Sequence, residues 1–233
     1  MCGRYTLTCA PDELREEFGI AEVPAALGPR YNLAPRQDAA VIAPSRTGEL
    51  RLRLLNWGLV PWWADDPRIG GRAINARAET VATRPAFRDA FRERRCLIPA
   101  DGFYEWLRPE GSRSGQPYRF RRADGRPLAF AGLWERWRSA DNEVLDSFTI
   151  LTRPATGVVA PIHDRMPVIL RGADRDVWLD PATPPERLQA LLAAESAEPL
   201  VADAVSTLVN SPANDTPECV LPLEVLNAPG GGE

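Results

Sequence analysis

Along most of the chain, hydrophobic residues either alternate with polar ones or gather in short blocks bounded by Gly, Pro and Asp. Residues 39–43, 50–57, 96–99, 118–122, 128–134, 147–152 and 166–170 have strand length and are enriched in branched and aromatic side chains, so each is predicted as a strand. Helical spacing is rarer. Residues 11–18 open with proline and acids, put Leu14 and Phe18 on one face, and stop at Gly19. Residues 86–94 and 185–194 also read as helices, the second starting from Thr183-Pro184-Pro185-Glu186. Many short strands and few helices predict an α+β fold: a β-rich single domain with an antiparallel, partly closed sheet and a few peripheral helices.

Composition sharpens this outline. With 233 residues, 44% of them apolar, the chain can bury one sizeable core. One domain is expected over residues 1–226, and the Pro-Gly-Gly-Gly-Glu ending makes 227–233 read as a disordered tail. The Gly-, Ser- and Arg-rich stretch 108–117 reads as a hairpin loop. No apolar run reaches membrane-spanning length and no charged-then-apolar leader opens the chain, so a cytoplasmic protein without a membrane partner is expected. Four cysteines (Cys2, Cys9, Cys96, Cys219) lack metal or disulfide spacing. Cys9, Cys96 and Cys219 are expected to be buried, inert thiols.

The net charge of −4 argues against non-specific coating of nucleic acid, but the charge is uneven. No basic residue follows Arg187 while seven acids do, so residues 1–187 carry 28 − 25, or +3. A local basic site is therefore compatible with the overall acidity. All 28 basic residues are arginine and none is lysine; GC-rich codon usage explains this, although arginine also suits phosphate contacts.

Several segments carry candidate chemistry. If Met1 is removed, Cys2 presents a free 1,2-aminothiol, whose amine condenses with an aldehyde and whose thiol then closes a five-membered thiazolidine. An α-amine titrates near ~7.7–8.0, so part of it is nucleophilic at neutral pH. Glu105 lies among Phe103, Tyr104 and Trp106; desolvation there would raise its pKa and suit it to acid–base work, whereas strand alternation equally allows an outward-facing carboxylate. His163, the only histidine, sits between Pro161 and Pro167 beside Asp164 and Arg165, and can be a proton-transfer group or a structural residue. Asn75 and Arg77, two apart in an extended segment, can orient an amine or oxyanion and grip a phosphate, or serve as a turn amide and a surface salt bridge. Trp57 suits the core, while Trp62 and Trp63 border a polar turn and can stack on unpaired bases.

Taken in order, Cys2-Gly3-Arg4-Tyr5, Tyr31-Asn32-Leu33-Ala34-Pro35, Trp57-Gly58-Leu59-Val60-Pro61, Ile74-Asn75-Ala76-Arg77, the 101–106 run, Ile162-His163-Asp164-Arg165-Met166-Pro167, and Val205-Ser206 with Val209-Asn210 resemble the SOS response-associated peptidase (SRAP) family. The resemblance implies recognition of abasic sites in single-stranded DNA, with a covalent thiazolidine crosslink through Cys2 that shields the lesion. It implies Cys2, Asn75, Glu105 and His163 as catalytic residues, and Arg4, Arg77, Arg165, Trp62, Trp63 and Arg84 as DNA contacts. It implies no metal or cofactor, a monomer associated with the nucleoid through DNA, lyase activity and self-removal of Met1. Two alternatives stay open: a cysteine peptidase using Cys2, His163 and Glu105, and a non-covalent reader of modified or single-stranded DNA.

Overall fold

The computed structural model describes residues 2–109, 115–194 and 199–226; the tail expected at 227–233 lies outside the described residues. In chain order the first elements are β1 (Tyr5–Leu7), α1 (Pro11–Phe18), β2 (Arg30–Leu33), β3 (Asp38–Pro44), β4 (Leu50–Trp57), β5 (Asn75–Arg77), α2 (Arg88–Glu93), β6 (Arg95–Ala100) and β7 (Gly102–Leu107). They are followed by β8 (Gln116–Arg122), β9 (Leu128–Arg138), β10 (Val144–Pro154), β11 (Arg165–Pro167), β12 (Ile169–Leu170), α3 (Ala173–Leu179), α4 (Pro185–Ala193), β13 (Leu200–Ala204) and α5 (Leu223–Leu226). Among the described residues, no helix is long and apolar enough to cross a membrane.

The fold is α+β and β-rich, as the pattern of short strands predicts. Strands β10, β4, β3, β6 and β9 form a ring that closes on itself, because β9 pairs with β10 over the register Val144↔Arg138 to Ile150↔Gly132. An odd ring cannot alternate direction all the way round, so one seam must be parallel. It is the β10–β4 pair, Ser147↔Asn56 and Phe148↔Trp57. Strand β5 also runs parallel to β10, with Ile150 opposite Asn75. The ring is thus a closed five-stranded barrel, while the chain's second sheet stays open, in keeping with the expected partly closed, β-rich fold. Leu128 to Leu133 of β9 are all buried, and a strand covered on both faces shows a continuous apolar run rather than alternation.

A second, five-stranded antiparallel sheet, in the order β13-β8-β7-β1-β2, packs on the barrel. Phe103 of β7 stacks on Phe120 of β8 at 5.1 Å between ring centroids, and both Phe103 and Tyr5 meet the barrel's Phe130 edge-on at about 6 Å. Register Leu107↔Gln116 makes β7 and β8 an antiparallel pair, so residues 108–115 connect them; 110–114 of that expected hairpin loop lie outside the described residues.

Two expectations need correction. The strand predicted over 166–170 is two strands: Val168 donates its N–H to the Leu151 carbonyl of β10 and accepts from Ala131 N–H of β9, so the chain changes partner there. Cys96 and Cys219 are buried as expected, but Cys9 is only half-buried, with its thiol pushed up to about 12 by desolvation. Strands β1, β2, β5, β7 and β13 and helices α3 and α5 have no counterpart in the segments predicted from hydrophobic pattern.

Candidate active site

The second sheet brings the N-terminus to the barrel. Strand β1 lies between β2 and β7, so Cys2, three residues before Tyr5, enters the seam between the two layers and is fully buried. Asn75 reaches the same point from the barrel side. Its Nδ2 donates to the Cys2 carbonyl at 2.7 Å, and its Oδ1 is buried with no partner. The amide therefore holds the Cys2 backbone carbonyl. Its position depends on the 58–74 connection, where Gly58 and Gly70 touch backbone to backbone; a Cβ on Gly70 would stand 2.5 Å from the Gly58 carbonyl oxygen. Trp57 ties down the end of that connection, its indole N–H donating to the Ile74 carbonyl at 2.8 Å.

Glu105 comes from β7. Alternation places it on the face of Phe103, toward the barrel, while Tyr104 packs the opposite face against Val205 and Val209. Both faces of β7 are covered, so the outward-facing alternative does not hold: Glu105 is 2% exposed. Its Oε1 has no partner, and its Oε2 stands 3.6 Å from His163 Nε2. Burial, with some help from Asp164, pushes the carboxyl up to about 7, against the pull of the N-terminal ammonium and Arg108. Burial moves His163 the other way, below its ordinary value. The backbone N–H of Arg165 donates to His163 Nδ1 at 2.9 Å, which leaves the proton of a neutral ring on Nε2, facing Glu105. With the carboxyl raised and the imidazole lowered, the two groups do not form an ion pair at neutral pH, and at 3.6 Å they stand just beyond hydrogen-bond distance.

The Cys2 thiol is also raised well above its ordinary value, first by burial and then by the Glu105 charge. A buried thiol and a buried carboxyl that each resist ionisation beside the other hold their protons until a base or a substrate takes one. Glu105 and His163 line a cleft of about 880 Å³ together with Gly3, Arg4, Trp106, Arg108, Ile162, Asp164 and Asn210. Cys2, Asn75, Glu105 and His163 thus converge from β1's leading end, β5, β7 and the 160–164 loop.

The expected DNA-contacting residues behave differently from one another. Arg4 lines the cleft, but its guanidinium donates to Asn32 Oδ1 at 2.9 Å and to the carbonyls of Val209 at 2.6 Å and Asn210 at 3.3 Å. Arg165 is committed to Glu79, at 2.5 and 3.0 Å, and to the Thr152 carbonyl at 2.6 Å. Both serve as internal struts here. Arg77 and Arg84 are exposed. Trp62 and Trp63 are 58% and 44% exposed, yet they line separate concavities, Trp62 with Trp134 and Arg136 and Trp63 with Arg68 and Arg72. None of these four lines the Glu105 cleft.

Hydrophobic pattern and charge give no role to Trp106, Arg108 or Asn210, all of which line it. Trp106 Nε1 donates to Asn210 Oδ1 at 2.7 Å. Asn32 is fully buried, and its Nδ2 donates to the carbonyls of Val209, Ser211 and Asn214 at 2.7–3.2 Å, while Asp215 accepts from the backbone of Tyr31 and Asn32. The 205–215 segment is thereby stitched to β2 and forms one wall of the cleft. The available signal was the pair of polar motifs Tyr31-Asn32 and Val209-Asn210, far apart in sequence and joined only by folding.

The family described as SOS response associated peptidase (SRAP) matches over residues 1–212. Abasic site processing protein YoqW of Bacillus subtilis (strain 168) is 42% identical over 223 residues, covering 94% of this chain and 99% of its own. Abasic site processing protein HMCES of Gallus gallus is 32% identical over 267 residues, covering 97% of this chain and 79% of its own. A crystal structure of a protein from Bacteroides thetaiotaomicron has the same fold, with a TM-score of 0.83 at 23% identity over 94% of this chain and 98% of that one. With its sequence matched over nearly its whole length, the chain belongs to the SOS response associated peptidase (SRAP) family.

Proposed function

We propose that this protein acts on abasic sites in single-stranded DNA and, once Met1 is removed, joins them to Cys2 as a thiazolidine. The observation that carries the proposal is Glu105: a carboxyl 2% exposed, with one oxygen unpartnered, raised to about 7 beside a buried N-terminal cysteine and a neutral histidine. A buried polar atom without a partner costs roughly 1–3 kcal/mol, so the free oxygen of Glu105, at the edge of an open cleft, is stabilised by a group that arrives to bond it. The names of the relatives point to abasic sites as the source of that group.

The steps balance as a condensation. The α-amine of Cys2 adds to the C1′ aldehyde of the ring-opened sugar; Asn75 Oδ1 accepts a hydrogen bond from that amine and keeps it in line. Protonated Glu105 gives its proton to the departing hydroxyl, which leaves as water, and an iminium forms. The Cys2 thiol adds to the iminium carbon and its proton returns to Glu105. One water is lost and the acid is regenerated. Because both bonds are formed by groups already held in place, positioning supplies most of the acceleration. Arg77 and Arg84 supply phosphate contacts, and Trp62 and Trp63 supply stacking faces farther along the strand.

The peptidase alternative needs a thiol lowered toward thiolate by an imidazolium. Here burial and Glu105 raise the thiol, and burial keeps His163 neutral. The absence of lysine offers a direct test. Once Met1 is gone, the α-amine of Cys2 is the sole primary amine, so borohydride added during reaction with abasic single-stranded DNA should attach the DNA to the N-terminal residue. Peptide mapping that found the DNA on any other residue would remove the aminothiol mechanism.

A further inference from the structure

The cleft must hold a polyanion, yet its arginines are unequally free to do so. Arg4 turns both Nη groups to Asn32 and the 209–210 carbonyls, and Arg165, which lies outside the cleft's lining, is paired with Glu79 and Thr152. Arg108 differs from both: it is exposed, it lines the cleft with Glu105 and His163, and it has no ion-pair partner among the described residues. It is also seated. Continuing the register Leu107↔Gln116 sets Arg108 across from Gly115, and a Cβ on Gly115 would stand 2.9 Å from Arg108 Cγ, 3.0 Å from the Leu107 carbonyl oxygen and 3.1 Å from Trp106 Cβ. The missing side chain lets the Arg108 stem lie across the hairpin beside Trp106, whose ring is fixed by Asn210.

We propose that Arg108, lying over Gly115 at the mouth of the cleft, grips a phosphodiester of the DNA strand next to the sugar that enters it. This contact rests on the reading of the cleft as a site for single-stranded DNA. A planar guanidinium with no hydrogen bond to a described residue matches two phosphate oxygens, and such a contact positions the strand without reading its sequence. A neutralised phosphate is also a favourable neighbour here, because the cleft already carries the 84%-exposed carboxylate of Asp164, which repels an unpaired anion.

The test separates binding from covalent chemistry by using single-stranded DNA with a tetrahydrofuran abasic analogue, which has no aldehyde. Kd is measured against salt for the wild-type chain, Arg108→Gln, Arg108→Lys and Gly115→Ala. Each phosphate contact on a single strand contributes about 0.7 to the slope of log K against log salt. Arg108→Gln should lower the slope by about that amount and weaken binding several-fold at low salt, with the unfolding midpoint unchanged because the side chain is exposed. Arg108→Lys should keep the slope while losing some affinity, and Gly115→Ala should fall between. An unchanged slope in folded Arg108→Gln, with normal wild-type binding, overturns this contact and leaves the wider reading standing. Failure of the wild-type chain to bind the analogue at any salt overturns both.

Discussion

Strand β7 and the residue before it carry two buried carboxyls four positions apart, Asp101 and Glu105, and they have opposite surroundings. Asp101 accepts from the hydroxyls of Thr6 and Thr8 and from the Thr8 backbone N–H at 2.9 Å, and Arg119 lies 3.4 Å away. Every lone pair there has a use, and the result is a strut that pins β1 to β7. Glu105 has an orphaned oxygen and a histidine just beyond hydrogen-bond distance. The contrast teaches that burial alone does not mark a reactive acid. The mark is burial combined with hydrogen-bonding capacity left unfilled, since a satisfied carboxylate is stable where it lies and an unsatisfied one is stabilised by what arrives.

The sharpest way to break this contrast is to remove the group that Glu105 is proposed to serve. Cys2→Ala should abolish the heat-stable adduct with abasic single-stranded DNA on denaturing gels while leaving binding to the tetrahydrofuran analogue. A heat-stable adduct at wild-type yield would end the thiazolidine proposal. Next comes Glu105→Gln, which keeps the shape and removes the proton. Adduct formation should slow by on the order of 100-fold, within the range for a lost general acid. A wild-type rate across the whole pH range would move Glu105 out of the mechanism.

Asp101→Asn is the counterpart at the satisfied end. It should cost roughly 2 kcal/mol, because a donor amide replaces an acceptor that several groups require. For a chain of this length that lowers Tm by about 4–8 °C. Rate per folded molecule should stay near wild type, and a large loss of rate without loss of Tm would erase the distinction between strut and reactive acid.

The smallest expected effect is on stability against pH. The folded-state pKa of Glu105 lies above its unfolded value, so the folded chain binds the proton more tightly. Its contribution is therefore fully present below the ordinary glutamate value and is lost as pH rises to about 7 and beyond. Denaturant midpoints of the wild-type chain should fall across that window, and Glu105→Gln should remove that part of the slope. A Gln variant with the full wild-type slope would place the titration elsewhere.

The sequence by itself determined the elements with strong periodicity. Helix α1 and strand β4 occupy the predicted residues, because proline and acids at the start of one and an apolar alternation broken only at Leu54-Leu55 in the other are local signals. It also brought forward Cys2, Asn75, Glu105 and His163 as candidates, through motifs whose residue types limit the chemistry available to them. Strands β1 and β13 were not legible: they have three and five residues, too few for a period to register, and they exist because longer neighbours supply their hydrogen bonds. Ring closure followed from the pairing of β9 with β10, which no local pattern encodes. Only the tertiary structure decided which of two similar side chains lacks a partner among the described residues. Arg4 and Arg108 are indistinguishable as charges in a string, but folding brings the 209–210 carbonyls to one and a bare glycine to the other. It decided likewise between Asp101 and Glu105, since a carboxyl's character is set by the donors around it, and those come from strands distant in sequence.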